Sequence, residues 1–152
     1  MRLWVDADAS PGEMKDVVFR AGKRLAFEVV LVANQSIAVP VAYPRVRSVC
    51  VSAAPDAADH HIATHAQPGD VAVTADIALA AVLVARLVAT IDPRGEEYTA
   101  ENVGPRLSVR NFNEALRGAG VNTRGPSPYG PKEKKAFAAT LDRVLTRTLR
   151  KQ

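Results

Sequence analysis

The apolar positions change their period along the chain, and the changes divide it into elements. Leu3-Trp4-Val5 is a short apolar run cut off by Asp6, the pattern of a buried strand. From Pro11 to Arg24 the residues Met14, Val17, Val18 and Ala21 recur at helical spacing. Pro11 suits a first helical position there, and Ser10 suits an N-cap. Phe27 to Ala33 (FEVVLVA) is rich in valine and reads as a strand covered on both faces. Residues 34–45, broken by Pro40 and Pro44, are irregular, and Val46 to Val51 predicts a third strand.

A helix follows from Asp56 to Ala66, with Ala57, Ala58, Ile62 and Ala63 available for packing, and Pro68-Gly69 ends it. Asp70 leads into a fourth strand, Val71-Ala72-Val73. Ile77 to Val88 predicts a very apolar, buried helix, and Ala89 to Ile91 a fifth strand before the turn Asp92-Pro93-Arg94-Gly95. No strand is predicted beyond Tyr98. Leu107 to Arg117 and Lys132 to Arg150 read as helices separated by the turn-rich VNTRGPSPYGP. Strands alternating with helices imply right-handed crossovers and an α/β fold with a mainly parallel sheet. No repeat or long linker divides residues 1–152, so one domain is expected.

Composition narrows the class. The 152 residues are 47% apolar but only 5% aromatic, so the core has to be built from Val, Leu, Ile and Ala. The opening apolar run is too short for an export signal. The longest apolar run, Ile77 to Ala85, falls short of the about 20 residues that span a bilayer. No membrane association is expected. A lone cysteine, Cys50, cannot form an internal disulfide, which fits the reducing cytoplasm. Charge is divided unevenly: residues 1–100 hold 9 Lys/Arg and 12 Asp/Glu, residues 101–152 hold 11 and 4. An acidic body with a basic C-terminal third suits a polyanionic ligand, and equally a solvated basic helix.

The acids sit where chemistry is placed in such folds. Ligands of open α/β sheets bind beyond the carboxyl ends of the strands. Asp6 and Asp8 follow strand one, Thr74-Ala75-Asp76 follows strand four, and Asp59 lies in the first turn of the helix between strands three and four. If strands one and four are neighbours, Asp6, Asp59 and Asp76 converge. Clustered carboxylates repel, and a hard cation such as Mg²⁺, which takes oxygen ligands and works on phosphates, relieves them. Each acid also has a plain structural reading: Asp8 as a helix cap, Asp59 as a dipole-favoured helix acid, Asp76 as an N-cap.

With those residues in view, the chain resembles the YaiI/YqxD family of uncharacterised bacterial proteins, which resemble PIN-like nuclease domains. The resemblance is carried by DADASP (6–11), VAN (32–34), DAADHHI (56–62), GDVAVTADIALA (69–80), PRGEEY (93–98) and GPSPY…K…F…LD (125–142). The PIN-like pattern is an aspartate ending strand one, an acid in a mid-chain helix, and Thr-x-Asp ending a later strand; Asp6, Asp59, Thr74 and Asp76 match it. The resemblance implies a three-layer α/β/α fold and Mg²⁺- or Mn²⁺-dependent cleavage of RNA. The chain departs from the family at Ser10, where a cysteine is usual, at Arg124, where a second glycine is usual, and at Glu133-Lys134, where an Asp-Arg pair is usual.

The expected activity is therefore that of a metal-dependent phosphodiesterase, a ribonuclease in the first place. Asp6, Asp59 and Asp76 would hold the ion, and Asp8 would be a further ligand or orienting acid. Ser10 and Thr74 would hydrogen-bond carboxylates or water, and Arg94, Arg124, Lys132 and Lys134 would meet phosphates. The leading alternative is a binding module for RNA or a nucleotide on the same face, without catalysis.

A third reading takes Asp6-x-Asp8 as the opening of a haloacid-dehalogenase-type phosphatase, supported superficially by Gly69-Asp70, although Asp70 begins a strand rather than ending one. His61 and His65 share a helix face but lack a glutamate or cysteine partner for zinc. The loop Thr123 to Pro131 could bind phosphate through backbone amides or serve as a stiff connector. Tyr129 could stack on a base.

Overall fold

Valine-rich strands need cover on both faces, and the helices supply it. The computed structural model describes residues 1–123 and 128–152. Six strands form one sheet in the order β3-β2-β1-β4-β5-β6: β1 Arg2–Asp6, β2 Glu28–Ala33, β3 Val46–Cys50, β4 Val71–Val73, β5 Ala89–Ile91 and β6 Glu97–Tyr98. The first five are parallel, and β6 pairs antiparallel with β5 through Thr90–Tyr98 and Ile91–Glu97. The helices are α1 Lys15–Leu25, α2 Ala57–His65, α3 Ile77–Ala85, α4 Val103–Gly118 and α5 Pro131–Arg150.

Alternate residues of each strand point to opposite faces, so the sheet carries two cores. Leu3, Val5, Val29, Leu31, Val71 and Val73 pack with Val18 of α1 and with Phe137, Leu141 and Leu145 of α5. Trp4, Val30, Val32 and Ala72 pack on the other face with Ile62 of α2 and with Leu79 and Leu83 of α3. This is the expected three-layer α/β/α arrangement. Gly22 lets α1 approach β2, since a Cβ there would stand 2.8 Å from Val29 Cγ2. Gly95 has φ +95° and faces the α5 backbone, where a Cβ would lie 2.7 Å from Ala136. The Asp92–Gly95 turn is thereby pressed onto α5.

Three helix boundaries differ from expectation by three residues or more, and one strand, β6, is additional. Two 3₁₀ turns, Ala7–Ala9 and Gly12–Met14, precede α1, so Ser10 does not cap it. α3 ends at Ala85 rather than Val88, because Leu87 takes a left-handed φ of 65° before β5 begins. It is also less buried than its composition suggests, with Val82 46% exposed. α4 begins at Val103, four residues early, because Pro105 falls in its first turn, where proline is tolerated. β6 is too short to show a period.

Parallel pairing of Leu3, Trp4 and Val5 with Val71, Ala72 and Val73 makes β1 and β4 neighbours. β1 also pairs with β2, so the order reverses between β1 and β4. The crevice beyond the carboxyl ends of strands at such a reversal is where open α/β sheets bind ligands.

Candidate functional site

Asp6 ends β1 at that crevice and is only 2% exposed. A carboxylate there requires donors. The Thr74 hydroxyl, wholly buried after β4, donates to Asp6 Oδ2 at 2.9 Å. Thr74 Oγ1 in turn accepts from the Asp76 amide at 3.0 Å, so β1 and the start of α3 are tied through one hydroxyl. Tyr98, from β6, donates its hydroxyl to the Thr74 carbonyl at 3.2 Å.

The remaining acids gather around Asp6. Asp6, Asp8, Asp56, Asp59 and Asp76 line one recess of about 300 Å³ together with Asn34 and the Ser52–Ala58 segment. Asp76 caps α3, its Oδ1 accepting from Ala78 and Leu79 amides at 2.9 and 3.2 Å. Its carboxyl and that of Asp59 line the same recess and act on each other. Burial, then Asp76, then Asp6 and Asp56, hold the Asp59 carboxyl up to about 7. Burial likewise raises Asp6; the Thr74 hydroxyl opposes that, Asp76 and Asp8 add to it, and the Ala9 amide opposes it. Asp8 accepts from the Asn34 amide at 2.7 Å, fastening the end of β2 rather than capping α1.

The donor set is all oxygen, as Mg²⁺ and Mn²⁺ require. Among the described residues no three Asp, Glu, His or Cys side chains stand as a ready-made cage. Mg²⁺ does not need one, because it commonly keeps several waters and takes one or two carboxylates. The carboxyls of Asp59 and Asp76 fit that demand in kind, with Asp6 beside them.

The family model described as "Uncharacterized BCR, YaiI/YqxD family" matches residues 4–147. The chain belongs to this family. It is 53% identical to the UPF0178 protein of Myxococcus xanthus over 151 residues, 99% of this chain and 97% of the relative. It is 49% identical to the UPF0178 protein of Syntrophobacter fumaroxidans over 152 residues, 100% of this chain and 99% of the relative. It is 48% identical to that of Pseudomonas fluorescens over 150 residues, 99% of each. No solved structure matches the chain. YaiI/YqxD relatives carry names that state no activity, so chemistry has to be argued from the site.

The residues expected to meet phosphate are spread more widely than the acids. Arg94 and Ser10 line a cavity of about 480 Å³ that adjoins the recess at Asp8 and Ala9. Ser10 donates to the Asp6 carbonyl at 2.8 Å. Arg94 lies 5.9 Å from the Tyr129 ring centroid, and the Tyr129 hydroxyl donates to the Pro93 carbonyl. Lys134 pairs with Asp16 of α1 at 3.1 Å, and Lys132 is exposed in the first turn of α5. Neither lines the recess or the cavities beside it. Arg124 lies outside the described residues, as does part of the loop around it.

The sequence reading passed over two groups. Asp56 lines the recess with a left-handed φ of 66°, a conformation aspartate tolerates better than most residues. The basic row of α4, Arg106, Arg110 and Arg117 with Asn113, borders a groove of about 790 Å³ that ends at Ala75 and Asp76. Its spacing of four, three and four was visible as one helix face.

Two other constellations have structural roles here. Asp70 lies at the opposite, amino edge of the sheet, where it accepts from the Arg2 amide, Trp4 Nε1 and the Gln67 amide at 3.0, 3.0 and 2.9 Å. An acid so placed cannot serve as the third carboxylate of a phosphatase built on Asp6 and Asp8. His61 and His65 stack on each other at 4.2 Å, with centroids 6.0 and 6.4 Å from that of Trp4.

Proposed function

We propose that the chain is a metal-dependent phosphodiesterase, acting on RNA in the first place, with Asp6, Asp59 and Asp76 holding Mg²⁺ or Mn²⁺. The observation that carries this reading is the placement of three acids from three elements around one recess at the β1–β4 reversal. A cation bound there would supply charge neutralisation at the phosphate and a water activated for attack. Thr74 holds Asp6 in place, and Asp76 is held in turn by the first turn of α3. Asp8 and Arg94, at the mouth, orient what enters. With its carboxyl held up to about 7, Asp59 keeps a proton at lower pH and lessens the negative charge of the recess. The lone, exposed Cys50 and the absence of any helix long and apolar enough to cross a membrane among the described residues support placing this activity in the cytoplasm.

The test is cleavage of labelled RNA by protein stripped with EDTA and then given Mn²⁺ or Mg²⁺. Asp6→Asn and Asp76→Asn should each lower the rate on the order of 10²-fold or more. Cleavage that survives both substitutions would point to a contaminant and sink the site. Binding of RNA without turnover under either metal would support the non-catalytic binding module instead.

A further inference from the structure

We propose that the groove-facing side of α4 is the track for a single strand of nucleic acid that delivers one phosphodiester to the carboxylate recess; this rests on the hydrolytic reading above. α4 has no fully buried residue. It leans on α3 and β6 through Val103 and Leu107, which pack against Ile77, Ala80 and Tyr98. That contact turns Arg106, Arg110, Asn113 and Arg117 toward the groove, and groove and recess share Ala9 and Asp76. The two therefore form one continuous surface, cationic along the helix and anionic at its end. An acidic recess repels a phosphate unless a cation and neighbouring positive charge offset the repulsion. The arginines supply that charge by taking the phosphates that flank the reacting one.

Length selects a polymer over a mononucleotide. Arg106 and Arg117 are eleven residues apart, roughly 16 Å along a helix, which several linked nucleotides can span. Exposure selects an unpaired strand. Val109, between Arg106 and Arg110 in the groove lining, is 60% exposed and gives an unpaired base an apolar surface to rest on beside the cationic row. The reacting phosphate must also approach Asp6, 2% exposed, which a splayed strand can do and a stacked duplex cannot without unpairing. Present pairings leave the row usable. Arg106 is paired with Asp92 at 3.1 Å and with the exposed Glu96 at 3.2 Å, and lies 4.3 Å over the Tyr98 ring. Arg110 is held by Glu114 at 3.1 Å in an exposed pair, which a phosphate can replace at little cost. Arg117 donates to the Thr123 hydroxyl.

The experiment measures binding of fluorescent oligouridine and oligothymidine of about twelve nucleotides, and of a matched duplex, in EDTA across a salt series. Hydrolysis of a small chromogenic diester with Mn²⁺ is followed in parallel. For Arg110→Ala/Arg117→Ala, Kd for the single strands should rise about tenfold, and the salt slope should fall by about 0.7 for each lost phosphate contact. Glu114→Gln, which frees Arg110, should tighten binding about twofold to threefold, a gain that misfolding cannot produce. Tighter binding of either single strand than of the duplex supports the track, and the preferred sugar assigns RNA or DNA. Unchanged Kd and slope in the double variant, or tighter binding of the duplex, overturns it. Row-dependent strand binding without hydrolysis under either metal defeats the hydrolytic reading and leaves the track. Metal-dependent diester hydrolysis with strand binding indifferent to the arginines does the reverse.

Discussion

Thr74→Val is the sharpest probe of the recess, because one oxygen serves two strand ends. Thr74 is fully buried; its hydroxyl donates to Asp6 Oδ2 at 2.9 Å and accepts from the Asp76 amide at 3.0 Å. Valine keeps the shape and deletes both bonds. A hydrogen bond to a charged group contributes about 1.5–3 kcal/mol, and a stranded buried donor costs about 1–3 kcal/mol. Because the Asp76 amide lies nearer the mouth and can find water, the expected loss is about 2–4 kcal/mol at pH 8. With a urea m-value of about 1–3 kcal/mol/M, the unfolding midpoint falls by roughly 1–2 M. Thr74→Ser, which keeps the hydroxyl, should recover most of that. Burial raises Asp6, so at low pH it is protonated, the bond becomes a neutral one, and the penalty shrinks. A loss below about 1 kcal/mol at pH 8, or one that grows on acidification, would refute a desolvated Asp6 held by Thr74.

Asp59 predicts a pH dependence in metal-free protein. Its carboxyl is held up to about 7, against 3.8 unperturbed. The folded state therefore binds the extra proton, and the stability this group contributes is fully present below pH 3.8 and is lost as pH rises through about 7. Thermal midpoints in EDTA between pH 5 and 8 should show this fall, and Asp59→Asn should flatten it; an unchanged slope in the variant assigns it elsewhere. Asp70→Ala strands Trp4 Nε1 and two backbone amides at the other edge of the sheet. It should cost about 2–4 kcal/mol in urea unfolding while leaving metal-dependent cleavage per folded molecule intact. Loss of cleavage without loss of stability would restore Asp70 to the chemistry.

What could be read in the sequence follows from how local each signal is. The strands β1, β2 and β4 announce themselves by the apolar runs LWV, VVLVA and VAV, followed by Asp6, Asn34 and Thr74, and strand ends are where this class of sheet binds ligands. Strand ends alone therefore point to Asp6 and Asp76, whatever the strand order. Asp56 was read only as the start of a helix, since a left-handed φ leaves no mark at an aspartate. The α4 row was visible as spacing but not as a site. Its direction depends on Val103 and Leu107 meeting Ile77, Ala80 and Tyr98, a contact between segments too far apart in sequence for any local pattern to show.

The two edges of the sheet treat their acids in opposite ways, and the contrast bears on purpose. Asp70, at the amino edge, is met by three N–H donors and serves the fold. At the carboxyl edge five aspartates share one recess, and the charge of Asp76 bears on Asp59, while Asp56 adds a left-handed backbone. Folding alone would favour fewer charges or more donors there, because each desolvated carboxylate weakens the folded state unless it is paired. The elements that hold the acids are nonetheless tightly specified: Thr74 bridges two of them, and Asp76 caps α3. A local cost that survives within a rigid frame is the signature of a site kept for a ligand. A cation is the ligand that would turn that repulsion into binding.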